Sequence, residues 1–191
     1  MIQSKKDYRE YLEADMKALN LQGSSFFAKM TNPVYQFQRA LRRHEYYHNC
    51  CRHIWQKPMR VLAGRKHRKL GVKYGFSIPI NVFGKGLNIA HIGTIIVNGY
   101  VRVGDYCRLH ACTNIGTAAG KPDATPKIGN RVYIGPGAKL FGDIVIADDI
   151  AIGANAVVNK SFETAGIAIG GIPAKKINDK GSKGLLYAPK E

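Results

Sequence analysis

The sequence predicts a mainly β protein, a parallel β-helix that follows a small helical N-terminal region. Two periodicities predict it: apolar residues recur every six positions in the second part of the chain and every three or four positions in the first. The chain has 191 residues, of which 45% are apolar. That length supports one domain with a smaller appendage, and that composition is too apolar for a disordered basic tail.

Charge divides the chain near residue 75. The formal net charge is +16, from 29 Lys and Arg against 13 Asp and Glu. Residues 1–75 hold 16 basic and 5 acidic side chains, whereas the rest of the chain holds 13 and 8. The densest basic segment, 39–73, contains Glu45 as its single acidic residue. We therefore predict a basic helical region over 1–75, the β-helix over 76–177 and a C-terminal tail over 178–191.

The compartment follows from two further features of the sequence. No apolar run approaches the roughly 20 residues that span a bilayer, and Met1 to Asp15 contain no apolar core of a secretory signal. The cytoplasm is therefore the expected location.

The cysteines are expected to be reduced thiols, because none has C-x-x-C spacing. They are Cys50, Cys51, Cys107 and Cys112.

The first part of the chain has two clear helical series. The first is Tyr8, Leu12, Met16 and Leu19. After a break at 23–25, the second series follows the start signals Thr31, Asn32 and Pro33. Its members are Val34, Phe37, Leu41, His44, His48, Cys51 and Trp55. Both series predict amphipathic helices, and 59–70 is either a short third helix or a basic connector.

A group of histidines and cysteines in the second series superficially resembles a metal site. The group is His44, His48, Cys50, Cys51 and His53. Histidines four apart on a helix can share a metal, but adjacent cysteines point in different directions. We therefore favour core or interface packing for this group and expect no metal.

The second part of the chain is built on a repeat of six residues, which fits no helix. Its anchors are Phe83, Ile89, Val97, Val103, Leu109, Ile115, Ile128, Ile134, Leu140, Ile146, Ile152 and Val158. A two-residue insertion separates the second anchor from the third, and a loop separates the sixth from the seventh. Glycine directly follows half of the anchors: Gly84, Gly104, Gly116, Gly129, Gly135 and Gly153. Each hexad would supply one short strand, and stacked coils would bury the anchors. A β-sandwich is the alternative, but its strands alternate with period two.

Four segments of the repeat region carry a resemblance to a known family. They are Ile89-Ala-His-Ile-Gly-Thr-Ile-Ile-Val, the loop from Asn114-Ile-Gly-Thr-Ala-Ala-Gly to Pro126-Lys-Ile-Gly, Ile134-Gly-Pro-Gly-Ala-Lys, and Gly170-Gly-Ile-Pro-Ala-Lys. With the hexads, they resemble hexapeptide-repeat acyltransferases of the serine acetyltransferase type over about residues 78–177. The resemblance implies a left-handed β-helix, a homotrimer, and acetyl transfer from acetyl-CoA to a hydroxyl between adjacent subunits.

His91 is the candidate catalytic base. A hydroxyl must lose its proton as it attacks a thioester, and imidazole titrates near neutrality. His91 lies beside the two-residue insertion, and the resemblance places it at the catalytic histidine of the family. His110 is a second candidate, in contact with the acceptor. The oxyanion donor would be the backbone N–H of Gly93 or the side chain of Asn114.

Small residues and two lysines are the candidate acetyl-CoA contacts that the resemblance implies. They are Gly135, Ala138, Gly153, Ala154, Lys175 and Lys176, with the lysines near the phosphates. Pro136 replaces a small residue of the family and removes a backbone donor. The alternative is that these glycines and alanines serve coil geometry alone.

Three departures from the family bear on the acceptor. Serine acetyltransferases have an aspartate before the catalytic histidine, another about fifteen residues upstream, and a histidine before Pro-Lys-Ile. This chain has Ala90, the neighbourhood of Phe76 and Ser77, and Thr125 at those places. On that ground, and because 42–49 resembles the polysaccharide-biosynthesis subgroup, we expect a sugar hydroxyl as acceptor, bound near Asn114, His110 and Thr125.

Two other functions stay open at this point. One is serine O-acetylation in cysteine biosynthesis. The other, from a different class, is a non-enzymatic trimeric scaffold whose basic segment 39–73 binds an anionic surface, with peripheral membrane association as one form. Nucleic-acid binding is not expected, because the segment contains no recognition motif.

Overall fold

The computed structural model describes residues 1–51 and 53–186. Arg52 of the basic segment and the end of the tail, 187–191, therefore lie outside the described residues. The helices are α1 (Lys5–Ala18), α2 (Phe26–Thr31), α3 (Pro33–Cys50) and α4 (Lys57–Tyr74), with a 3₁₀ turn at Ile54–Gln56. No helix in these described ranges combines the length and apolarity needed to cross a membrane.

Local capping explains where the helices begin. The Ser4 hydroxyl accepts a hydrogen bond from the backbone of Asp7 at the start of α1, and the Asn32 side chain accepts one from Tyr35 at the start of α3. At the other end of the helical region, α4 ends at Gly75 in the left-handed conformation (φ 82°). The start signals of α3 are thus confirmed, and 59–70 is part of a helix.

Two helical features differ from the expectation. Helix α2 was not predicted, because its starting signal is a single capping serine, Ser25, within the segment interpreted as a break. Helix α3 ends at Cys50, so Trp55 does not share its packing face and is 72% exposed. The residue after the helix, Cys51, no longer has helical backbone angles (φ −106°, ψ 88°).

The repeat region forms three sheets of short strands. Sheet A contains β1 (Phe76–Ser77), β3 (Ile95–Val97), β6 (Asn114–Gly116), β9 (Lys139–Phe141) and β12 (Val157–Val158). Sheet B contains β4 (Arg102–Val103), β7 (Lys127–Ile128) and β10 (Val145–Ile146). Sheet C contains β2 (Asn88–Ile89), β5 (Arg108–Leu109), β8 (Tyr133–Ile134), β11 (Ala151–Ile152), β13 (Ala168–Gly170) and β14 (Lys175–Asn178). These strands pair in parallel except β13 with β14.

The chain passes through sheets A, B and C in turn, so neighbouring strands in one sheet come from successive coils. This is the predicted parallel β-helix. All twelve repeat anchors are buried, with at most 6% of each exposed. The two-residue insertion lies where the sequence predicts it. Val97 follows Ile89 by eight positions, whereas their partners in the next coil, Leu109 and Ile115, are six positions apart.

Close contact between coils explains the glycines that follow several anchors. A Cβ on Gly104 would lie 2.5 Å from Asn130 Oδ1 and 2.8 Å from the carbonyl oxygen of Gly129 in the next coil. A Cβ on Gly129 would lie 2.8 Å from the backbone nitrogen of Asp148 in the coil after that. Glycine is therefore required at these positions by coil packing.

Gly104→Ala is expected to lower the free energy of unfolding by about 1 to 3 kcal/mol, because the added methyl group has no room between coils. Urea denaturation measures the change. Gly23→Ala is the matched control, since nothing lies within 4 Å of its added Cβ. Equal stability of the two variants would contradict the coil spacing described here.

A buried ion cluster joins the helices to the first coil. Arg42 is fully buried, and its Nε donates to Asp15 Oδ2 at 2.8 Å while Nη1 donates to Glu45 Oε2 at 3.0 Å. The same guanidinium donates to the carbonyl oxygens of Phe83, at 2.9 Å, and Gly84. One side chain thus connects α1, α3 and the chain entering the β-helix.

Arg42→Met is expected to lower the free energy of unfolding by about 3 to 5 kcal/mol, because it leaves two carboxylates buried without their cation. Chemical denaturation checks this. Arg43→Met, one position along and exposed, should change stability by less than about 0.5 kcal/mol. A small loss at Arg42 would mean that the cluster is hydrated rather than buried.

Candidate active site

Most of the candidate residues lie along one edge of the β-helix, where the chain turns from sheet C to sheet A. We call this edge the C–A corner; it consists of 90–94, 110–113, 135–138 and 153–156 in four successive coils. Backbone hydrogen bonds from Ala90 to Leu109, from His110 to Ile134 and from Gly135 to Ile152 set the register. Equivalent corner residues are therefore stacked about 4.8 Å apart.

His91 lies at the top of this corner, within the turn that is two residues longer than the turns below it. The longer turn leaves the imidazole exposed. Among the described residues, its one recorded side-chain contact is with the ring of His110, at 6.0 Å between centroids. An exposed imidazole of this kind is accessible to a substrate hydroxyl.

His110 lies one coil below His91 and packs between two rings. Its centroid is 5.1 Å from that of Tyr133, which belongs to the following coil. Its Nε2 is buried and has no hydrogen-bond partner among the described residues. Burial lowers the pKa of His110 below its usual value, and the positive charge of Arg108 and the neighbouring His91 lower it further. All of these causes favour the neutral form of the His110 ring.

The predicted acetyl-CoA contacts continue the same corner downward. Gly135 and Gly153 follow His110 in the stacked series, and Ala154 is exposed beside them. Lys175 pairs with Gly170 at the bottom of sheet C, and Lys176 follows it in β14. The corner thus presents small residues along its length and two exposed lysines at its far end, a shape suited to an extended anionic molecule.

Coil geometry accounts for two of these small residues. Ala138 is fully buried, and its carbonyl accepts a hydrogen bond from Asn114, so its side chain faces the interior rather than a ligand. A Cβ on Gly135 would lie 2.8 Å from the backbone of the next coil. For Ala138 the alternative interpretation, coil geometry, is the one that the structure supports.

The remaining predicted residues divide between the corner and elsewhere. Asn114 begins β6 directly after the corner and is exposed. Thr125 is buried before β7, at the turn from sheet A to sheet B, so a single chain does not bring it to His91. The N–H of Gly93 donates to the carbonyl of Tyr74 at 3.3 Å, which leaves Asn114 as the better oxyanion donor of the two.

Sequence reasoning missed three residues beside the corner. Arg108 and Tyr133 face outward in adjacent strands and surround His110, and Lys139 Nζ donates to the carbonyl oxygens of Cys112 and Gly137. Arg108 and Tyr133 each precede a repeat anchor, so the hexad register was the signal that could have found them.

The histidines of the helical region lie apart from this corner. His44 and His48 pack edge to face at 6.3 Å between centroids. In the part of the chain that the structure describes, no group of three or more His, Cys, Asp or Glu side chains could hold a metal ion.

Comparison with known proteins places this corner in context. The chain is similar to serine acetyltransferases. It is 40% identical to the enzyme of that name from Helicobacter pylori over 88 residues, which is 46% of this chain and 52% of the relative. It is 33% identical to the one from Mycobacterium tuberculosis over 132 residues, 68% of this chain and 57% of the relative. The chain thus spans about half the length of the curated relatives it matches, and no family model matches it.

Solved structures agree on the fold. Soybean serine acetyltransferase, solved as the apoenzyme, superposes with a TM-score of 0.72 at 25% identity, covering 91% of this chain and 70% of that one. The Brucella abortus enzyme in complex with coenzyme A has the same TM-score at 24% identity, over 93% and 70%. The likeness extends beyond the repeats into the helical region.

The expectation of a sugar acceptor is therefore wrong, and these similarities give no support to the polysaccharide-biosynthesis subgroup. It rested on three substituted places, namely Ala90, the neighbourhood of Phe76 and Ser77, and Thr125, and on the resemblance of 42–49 to that subgroup. Identity to proteins named serine acetyltransferase, in contrast, extends over 88 to 132 residues. A few substitutions in a binding site change its local contacts without specifying a different acceptor, because other side chains and the backbone can supply the same hydrogen bonds.

The environment of His110 predicts its titration. Its pKa should lie below the ordinary value of 6.5, as measured by NMR titration of the ring protons. Arg108→Gln should raise that pKa part of the way, because burial, the larger cause, remains. A His110 pKa at or above 6.5 would show that the ring is solvated and that the stacking with Tyr133 is wrong.

Proposed function

We propose that the chain is an acetyl-CoA-dependent serine O-acetyltransferase with His91 as general base. The observation that supports this most is the position of His91: it is exposed at the head of a corner whose small residues lead to Lys175 and Lys176. The identity to serine acetyltransferases supports serine as the acceptor.

Acetyl transfer at this corner requires one proton to move twice. His91 takes the proton of the serine hydroxyl as its oxygen attacks the thioester carbonyl, and a tetrahedral oxyanion forms. The side-chain amide of Asn114 donates to that oxyanion. When the intermediate collapses, the C–S bond breaks, the C–O ester bond remains, and His91 returns the proton to the CoA sulfur.

The substrates divide the corner between them. Gly153 and Ala154, with the lysines at the far end, bind the pantetheine arm and phosphates of acetyl-CoA, and the acceptor lies beside His91. Ala90 stands where the family has an aspartate, so His91 has no adjacent carboxylate. The ring of His110 is the neighbouring imidazole, at 6.0 Å between centroids.

The finer features of the assembly belong to the same proposal. A left-handed coil and a homotrimer in the cytoplasm are proposed together with the activity. Exposed apolar residues on sheet A, Ile96 at 45% and Phe141 at 37%, support contact with a second copy.

Purified protein with acetyl-CoA and L-serine should release CoA thiol, measured with a thiol reagent. His91→Ala is expected to lower kcat/KM by about 10²- to 10⁴-fold, the usual contribution of a positioned base. His53→Ala is the matched control, because His53 is exposed and stacks on Trp55 away from the corner.

Two results would overturn the proposal. The first is full activity of His91→Ala with serine, which would show that His91 is not the general base. The second is binding of acetyl-CoA by the folded protein without serine-dependent CoA release, which would show that serine is not the acceptor. Binding of acetyl-CoA is measured by calorimetry on the same preparation.

A further inference from the structure

A cavity of about 830 Å³ opens between α3, α4 and 75–79, in the helical part of the molecule. This volume lies within the range of about 300 to 1,000 Å³ typical of ligand sites. His44 and His67 form its floor, and α4 supplies one wall with Arg60, Arg65 and Arg68. The cavity is not part of the C–A corner, although Gly75 at its edge approaches the backbone of that corner.

The charge of this cavity is not compensated. None of the described residues that line it is Asp or Glu. Nor does any of its three arginines form a salt bridge with a residue in the described ranges. Guanidinium groups stay protonated throughout the physiological pH range, so the cavity carries three positive charges without a partner.

Gly64 makes room between two of the arginines. Arg60, Gly64 and Arg68 are four residues apart and so lie along one face of α4. Glycine inside a helix costs about 1 kcal/mol relative to alanine. A Cβ at Gly64 would lie 3.1 Å from His44 Nε2, so glycine at this position lets α4 lie close to the His44 ring.

Hydrogen bonding assigns the tautomers of the two floor histidines. His67 donates to the backbone carbonyl of Ile78, and its Nδ1 lies 3.2 Å from His44 Nδ1. With both rings neutral and the bond to Ile78 made through Nε2 of His67, His67 Nδ1 accepts, His44 Nδ1 donates, and His44 Nε2 is left as an acceptor. Burial and the neighbouring His44 lower the pKa of His67 to about 4. Burial and His48 lower that of His44, against a smaller opposing effect of Glu45. At pH 7 these rings therefore contribute hydrogen bonds rather than charge.

We propose that this cavity binds a phosphate-bearing anion, with Arg60 and Arg68 holding phosphate oxygens and His44 Nε2 accepting a hydrogen bond from the same ligand. Guanidinium forks match phosphate oxygens in pairs. Three uncompensated charges favour a polyanion such as a diphosphate over a single carboxylate. The exposed side chains of Val61 and Val72 on the same wall contact the apolar part of the ligand.

Two sources present this chemistry: a free phosphorylated small molecule and the headgroup of an anionic lipid. Calorimetry with inorganic pyrophosphate at physiological ionic strength tests the first. Flotation with phosphatidylcholine vesicles, with and without phosphatidylglycerol, tests the second. Arg60→Ala/Arg68→Ala is the cavity variant, and Lys66→Ala/Lys69→Ala removes the same charge from exposed positions on the same helix outside the cavity.

The wild-type chain should bind pyrophosphate, and the cavity variant should bind at least about tenfold more weakly, with the control within about threefold of wild type. The wild-type chain could instead float with the anionic vesicles without binding pyrophosphate. If the cavity variant alone lost that flotation, the result would support the site and identify the lipid headgroup as the source of the phosphate. Equal losses in both variants would show diffuse surface charge and overturn the proposal. So would the absence of binding to both probes by a wild-type chain with a cooperative thermal unfolding transition.

Discussion

Burial of the Arg42 guanidinium is the constraint on which the arrangement of the two parts depends. Its partners are the carboxylates of Asp15 and Glu45 and the carbonyl oxygens of Phe83 and Gly84. A cation buried without these groups would cost several kcal/mol, so the native positions of α1, α3 and the first coil depend on one another. The hydrophobic core reflects this, because it is one continuous cluster from α3 through the last coil.

The same attachment places the turn that contains His91. Helix α4 packs along α3 and ends at Gly75, whose carbonyl accepts the N–H of Ile95 at 2.9 Å, while the Tyr74 carbonyl accepts that of Gly93. The end of the helical region therefore holds the second half of the longer turn, after His91, whereas Ala90 before it is hydrogen-bonded to Leu109 of the next coil. An insertion in a regular coil would otherwise be a mobile loop, and here its backbone is hydrogen-bonded to α4 while its imidazole stays exposed.

Several features of the site followed from local patterns, and several did not. The register of the hexads, the longer turn at His91 and the stacked glycines are visible in spacing alone. The contact of His110 with Tyr133 is not, because it depends on which residues face each other across coils. Thr125 was placed with the acceptor because of its neighbours in the chain, yet three-dimensional packing puts it at a different corner. The prediction of a sugar acceptor was wrong for a related reason, because it was inferred from a few sequence positions without the surface that they form together.

The sequence by itself determined the coil and helices α1 and α3, because periodicity, capping residues and glycines act over a few residues and need no distant partner. Tertiary structure alone decided that Arg42 is buried, since its partners lie 27 and 41 residues away in the chain. It also decided that His44, His67 and the arginines of α4 line one cavity, where the sequence alone is compatible with a solvated helix face. Burial and charge compensation depend on what packs opposite a side chain, and no local pattern records that.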